Sequence, residues 1–277
     1  MNKKILIACP VQNREWILDH YLQHIYNIDY PKHLISLYFI INNTNDNSRE
    51  KLQDFKDKHQ SEYSHITIEI DNCDINFKDN RSMKTRMEHT YTWLSHLRNK
   101  IIRQCVKRNH DYLLSCDSDI LVPSNIIKKL LSHNKPLVAS LIFNGYLFTP
   151  PNAPEGYDPI HEAYRYTNIL KKKSLDKYIH IQSEDIKNPQ LVEDSKLLEV
   201  DFTGAVFLAS KEVCDAGRYS WHIQGEDEPF SRTVKNKGYK LYCDVSCYSQ
   251  HMMSQDILDL YLNGDLCFEN GDVVKIY

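Results

Sequence analysis

Short apolar runs and amphipathic stretches alternate along the first 140 or so residues. "KKILIACP" is a compact apolar run closed by Pro10, which predicts a strand buried on both faces. "REWILDHYLQHI" places Trp16, Leu18, Leu22 and Ile25 at roughly helical spacing. "LISLYFIINN" reads as a second buried strand. It gives way to the polar string "NNTNDNSRE", where Ser48 is positioned to cap a helix starting near "REKLQDF". "HITIEID" alternates as a strand does. "TYTWLSHLRNKIIRQCVKRN" reads as an amphipathic helix on Leu94, Leu97, Ile101, Ile102 and Cys105. "DYLLSCDSDILVP", the helix "SNIIKKLLSH" and the strand "PLVASLIFNG" complete the series.

Strands alternating with helices imply parallel βαβ units and a doubly wound α/β sheet, mixed but mostly parallel. Ligands of such sheets gather beyond the carboxyl ends of the strands. The polar clusters after residues 9, 41 and 116 all fall at such ends. From about 144 to 197 the pattern weakens, with "TPPNAPEGYDP" rich in proline and "LKKKSLDKYIH" basic; an irregular excursion with long loops is expected there. "LLEVDFTGAVFLASKEV" then reads as a strand running into a helix start. "EPFSRTVKNKGYKLYCD" reads as a helix, a turn at Gly238 and a strand.

A length of 277 residues suits one domain, read as a first half at 1–122 and a second half at 123–277. Hydrophobic and charged fractions of 42% and 26% are ordinary for a chain with a sizeable core. The net charge of −3 argues against nucleic-acid binding as the main role. The eight cysteines form no C-x-x-C pair, which favours reduced, mostly buried thiols over a zinc site or a disulfide framework. "MNKKILIACP" is too short an apolar start for a signal peptide, and no apolar run approaches the ~20 residues that span a bilayer. A cytoplasmic protein of bacterial or phage-like composition is the expectation.

Asp117 and Asp119 change this reading most. Two carboxylates at i and i+2 on a bend can offer oxygens to one divalent cation, Mg²⁺ or Mn²⁺, shared with substrate phosphates. An isolated Asp-Ser-Asp is usually a solvated turn. Its place directly after "YLLSC" faces the pair into the expected ligand crevice.

Three motifs in this order resemble the GT-A fold glycosyltransferases, close in pattern to family 2: the loop "CPVQNRE", the pair in "CDSD" and the acidic group in "GEDEPFSRTVKNKGYKLYCD". The likeness spans about residues 3–251 and implies a single GT-A domain, with 1–122 as its nucleotide-binding half and 123–277 as its acceptor-side half. It implies a nucleotide diphosphate sugar as donor co-substrate, with a UDP-sugar favoured, and transfer of a hexose to an acceptor hydroxyl. The acceptor is left open among a saccharide, a protein, a lipid and a modified nucleobase. By resemblance Asp119 is the firmer metal ligand, Asp117 lies nearer the ribose, and Ser118 between them is a turn residue at the nucleotide. His251 stands where relatives often carry a third metal contact, although a surface-loop histidine is an equal reading. The resemblance makes Asp227 the base of an inverting reaction and Glu226 its support, while acidic residues also suit a helix N-terminus for electrostatic reasons. It puts Pro10, Gln12 and Arg14 against base and ribose, and Asn43 where the family has an acidic uracil reader, with Asp46 as the substitute. Arg98 either reaches nucleotide or phosphate or is a solvated helix arginine. By the same likeness Gly204 borders the acceptor and the donor sugar, and Trp221 offers a stacking surface for an acceptor ring, while ordinary packing explains both as well.

Two rivals stand beside this reading. A nucleotidyltransferase also uses carboxylate-bound Mg²⁺ but normally carries a glycine-rich loop after its first strand, and "ACPVQNRE" has no glycine. A non-catalytic nucleotide-sugar or carbohydrate-binding protein would bind without turnover.

Overall fold

The expected apolar runs form the centre of one large sheet in the computed structural model, which describes residues 2–73, 84–143, 152, 154, 166–174, 177–186, 196–265, 267–269 and 272–274. Strands β1 (Ile5–Val11), β2 (Ile35–Ile41), β3 (His65–Ile70) and β4 (Tyr112–Cys116) run parallel. The sheet order is β3-β2-β1-β4-β11-β6-β12-β9, where β6 is Leu137–Leu141, β9 Leu197–Val200, β11 Val206–Ser210 and β12 Leu241–Tyr248. β6 and β12 pair in parallel, while β11 is antiparallel to β4 and β6, and β9 to β12. The sheet is thus mixed and mostly parallel, as expected. Every residue of β2 is buried, which explains why its sequence shows no alternation.

Helices flank the sheet: α1 (Glu15–Tyr26), α2 (Ser48–His59), α3 (Lys84–Lys107) and α4 (Ile126–Ser132), then α5 (Ser183–Ile186), α6 (Lys211–Ala216), α7 (Asp227–Asn236) and α8 (Gln255–Leu262). α3 packs on β1, β4 and α6 through Leu97, Ile101, Ile102 and Cys105, the stripe read from its periodicity. No helix among the described residues is long and apolar enough to cross a membrane.

Three details differ from the sequence expectation. Ser48 is the first residue of α2 and not its cap. Its Oγ accepts the Arg14 N–H at 2.8 Å, and Asp46 accepts the Ser48 N–H at 3.0 Å. The single strand expected after residue 196 is divided into β9, β10 (Phe202–Thr203) and β11, with Ala205 at φ +65 between the last two. The irregular excursion contains a hairpin, β7 (Tyr166–Ser174) with β8 (Lys177–Gln182), which joins β10 in a second sheet. Its interior positions are partly polar, which hid it. Thr167 and Asn168 are buried, and Asn168 bonds the Ile142 N–H, the Ser140 carbonyl and the Gly204 carbonyl at 3.1, 3.1 and 3.3 Å. The proline-rich run at 149–159 lies outside the described residues apart from 152 and 154.

Candidate active site

The carboxyl ends of β1, β2 and β4 lie along one edge of the sheet, and chain reversals bring three more segments there. β11 runs the other way, so its beginning reaches this edge: the Asp117 N–H bonds the Ala205 carbonyl at 3.0 Å. The Ile120 N–H returns to the Asp117 carbonyl at 3.0 Å and closes a tight turn over Ser118 and Asp119. Ser118 is buried and its Oγ donates to the Pro10 carbonyl at 3.4 Å, tying the turn to β1. β5 (Ile120–Leu121) pairs with β13 (Gln250–His251), and the Met252 N–H bonds the Asp119 carbonyl at 2.9 Å. That pairing brings His251 to Asp119, Nε2 to Oδ1 at 3.7 Å.

The two aspartates face different partners. Both Asp117 oxygens lie 2.9 Å from Nη2 of Arg98, and Asp119 Oδ2 lies 2.9 Å from Nη2 of Arg14. Arg98 is only 5% exposed and also donates from Nε to Glu226 at 2.8 Å. One guanidinium therefore clamps the turn at residues 117–119 to Glu226 at the start of α7. Burial works against its charge, but Asp117, Asp227 and Glu226 outweigh that and hold it firmly protonated. Sequence reasoning left this clamp unassigned. The signal was present: Arg98 sits four residues from both Leu94 and Ile102, on the helix's apolar stripe.

The three acids at residues 226–228 divide their tasks. Glu226 is bound by Arg98, and Glu228 takes the Tyr178 hydroxyl of β8 at 3.1 Å and Arg232 at 3.2 Å. Asp227 is different. Its Oδ1 is buried without a hydrogen-bond partner among the described residues. Burial pushes its pKa up to about 8, opposed by Arg98 and assisted by Glu226 and Asp117. Its position comes from Phe230 one turn on, which stacks between Phe207 of β11 and Tyr219 at centroid distances of 5.6 and 4.5 Å. The Asp227 carboxyl lies directly on the Gly204 backbone, where a Cβ would meet Oδ2 at 2.0 Å. Gly204→Ala is therefore expected to displace Asp227, costing about 1–3 kcal/mol of stability. A melting curve checks this; a parental melting temperature in the variant would show that the contact is not tight.

The remaining candidates are placed as follows. Asp46 engages both oxygens with backbone, the Ser48 N–H and the Glu15 N–H at 3.0 and 2.9 Å, so it ties the starts of α1 and α2 together. Asn43 adopts φ +45 and pairs its side chain with the backbone of Cys73. Gln12 is exposed and its carbonyl takes Nη1 of Arg14 at 3.2 Å. Trp221 is 42% exposed and Ile223 57% exposed in the loop before the acidic pair.

A divalent cation fits this site through two protein donors. Asp119 Oδ1 and His251 Nε2 at 3.7 Å apart can share one ion, since two bonds of about 2.1 Å span up to about 4.2 Å. Asp117 meets Arg98 with both its oxygens. Among the described residues no cluster of three His, Cys, Asp or Glu side chains is close enough to hold a metal. Phosphate oxygens and water are the complement that hard cations accept.

A family model described as Anp1 matches residues 1–186. The mannan polymerase II complex anp1 subunit of Schizosaccharomyces pombe is 22% identical over 267 residues, 87% of this chain and 62% of that protein. A glycosyltransferase 25 family member of Aedes aegypti is 24% identical over 147 residues, 53% of this chain and 24% of that protein. The chain thus spans less than two thirds of these relatives' length. Among solved structures, a mannosyltransferase from Pyrobaculum calidifontis, in complex with GDP-Man and Mn²⁺, superposes with a TM-score of 0.50 at 14% identity. The superposition covers 91% of this chain and 57% of that one. The likeness establishes the GT-A architecture, and the family that matches is Anp1 where the motifs alone suggested family 2.

Proposed function

We propose that this chain, which belongs to the Anp1 family, is a metal-dependent glycosyltransferase moving a hexose from a nucleotide diphosphate sugar to an acceptor hydroxyl. The observation that carries the proposal is the meeting, at one sheet edge, of a pair able to share a cation and a half-buried acid with one unpartnered oxygen. The pair is Asp119 with His251, and Arg98 joins the Asp117 turn to the start of α7 that bears the acid, Asp227.

A cation held by Asp119 and His251 supplies charge neutralisation for the departing diphosphate. The chain's own residues do the rest. Arg98 fixes Asp117 and Glu226 in one frame, so the nucleotide side and the acceptor side keep their separation. Asp227 accepts the acceptor's hydroxyl proton as the oxygen attacks the anomeric carbon. Attack on the face opposite the diphosphate inverts that centre. The exposed Trp221 and Ile223 offer an apolar platform suited to a sugar ring, which favours a saccharide acceptor.

The donor test follows from the comparisons. The Pyrobaculum calidifontis protein was solved with GDP-Man and the Schizosaccharomyces pombe relative is named for mannan. GDP-mannose therefore joins the UDP-sugars at the head of a panel with Mn²⁺, Mg²⁺ or chelator. One donor is expected to raise the melting temperature and to release free nucleotide slowly, only with metal. Asp119→Ala is expected to remove both effects. No response to any donor would overturn the assignment, and binding without release in the presence of acceptors would point to a non-catalytic binder.

A further inference from the structure

The two arginines that hold the aspartates are built differently. Arg98 is 5% exposed and bridges two carboxylates. The Arg14 side chain is 29% exposed and, among the described residues, meets one carboxylate, that of Asp119. Its backbone is fixed: the N–H donates to Ser48 Oγ at 2.8 Å, and the carbonyl accepts the Ile17 and Leu18 N–H groups at 3.0 and 2.9 Å. Its guanidinium is poorly committed. Nη1 makes a 3.2 Å bond to the Gln12 carbonyl, and Nε is buried with no hydrogen-bond partner among the described residues. A guanidinium carries five donors, so this arrangement leaves capacity for a further anion.

Asp119 Oδ1 faces His251 while Oδ2 faces Arg14. The carboxylate is 15% exposed, and a carboxylate so enclosed is stabilised by a compensating cation. We propose that Arg14 is that cation in the donor-free protein: a latch that neutralises Asp119 until a divalent metal takes the carboxylate, and is then released to the donor's diphosphate. The proposal rests on the metal-dependent reading above and adds an order of events to it. Cation and diphosphate would then bind cooperatively, because the cation frees the guanidinium that the diphosphate recruits.

Binding measurements test this without turnover. Mn²⁺ alone is titrated against the parent and Arg14→Gln, following the electron paramagnetic resonance signal of the free ion. The variant is expected to bind Mn²⁺ about threefold to tenfold more tightly, the scale of one partly exposed ion pair. Arg14→Lys, with the charge retained and fewer donors, is expected to fall between. In chelator, GDP and UDP are titrated against the parent, Asp119→Asn, Arg14→Gln and the double variant. Asp119→Asn is expected to bind one of them more tightly than the parent, because the guanidinium is released, and the gain is expected to vanish in the double variant.

Unchanged or weaker Mn²⁺ binding by Arg14→Gln overturns the latch. So does a nucleotide gain that persists without Arg14, which would be a field effect of the lost carboxylate. If the parent binds Mn²⁺ with nucleotide but Arg14→Gln shows no gain, the latch alone fails. If the parent binds no Mn²⁺ even with GDP or UDP present, the metal reading fails and the latch with it.

Discussion

Asp227→Asn is expected to abolish sugar transfer, by about 10²-fold to 10⁴-fold, while donor affinity stays near that of the parent. The amide fills the same space on Gly204 but accepts no proton. The same substitution is expected to raise the melting temperature at pH 8. The sign follows from linkage: burial raises the Asp227 pKa from its ordinary 3.8 to about 8, so between those values the unfolded chain releases a proton that the folded chain keeps. The contribution is full below about pH 4 and is lost progressively up to about pH 8. A neutral amide removes that loss. Activity in the parent should move the opposite way, with kcat/KM rising through about pH 8 as the base ionises. Equal transfer rates in parent and variant would sink the base assignment, and a melting difference that does not change with pH would sink the buried-acid account.

Replacement of Arg98 by methionine is expected to have the largest structural effect. Loss of one partner leaves Asp117 and Glu226 facing each other's charge with no guanidinium between them, and breaking a buried pair this way costs about 3–5 kcal/mol. For a chain of this length that corresponds to a drop on the order of 10 °C in melting temperature. Arg98→Lys keeps a charge but lacks the fork that reaches both carboxylates, so it should recover part of the stability and little of the activity. A melting temperature within about 2 °C of the parent in Arg98→Met would show that the clamp carries little energy.

Much of this protein is written locally. Apolar runs of five to seven residues and a helical stripe depend only on neighbours in the chain, so β1, β2, β4, β6 and α3 were legible, as was the edge at which they end. The aspartate pair and the acidic group at the start of α7 were legible for the same reason: each is a short string at an element's end. The hairpin β7–β8 was not, because Thr167 and Asn168 occupy interior positions that only their hydrogen-bond partners make tolerable. Nor could the strings say which charge meets which. Arg98 meets Asp117 and Glu226 across 19 and 128 residues, and Arg14 meets Asp119 across 105.

The chain alone thus determined the strands, their common edge and the acids available there, because periodicity and element ends are local properties. Only the tertiary structure decided that Asp117 faces an arginine, that Asp119 and His251 face each other, and that Gly204 supports Asp227. Those outcomes depend on the antiparallel run of β11 and the β5–β13 pairing, which bring distant segments to within a few ångströms.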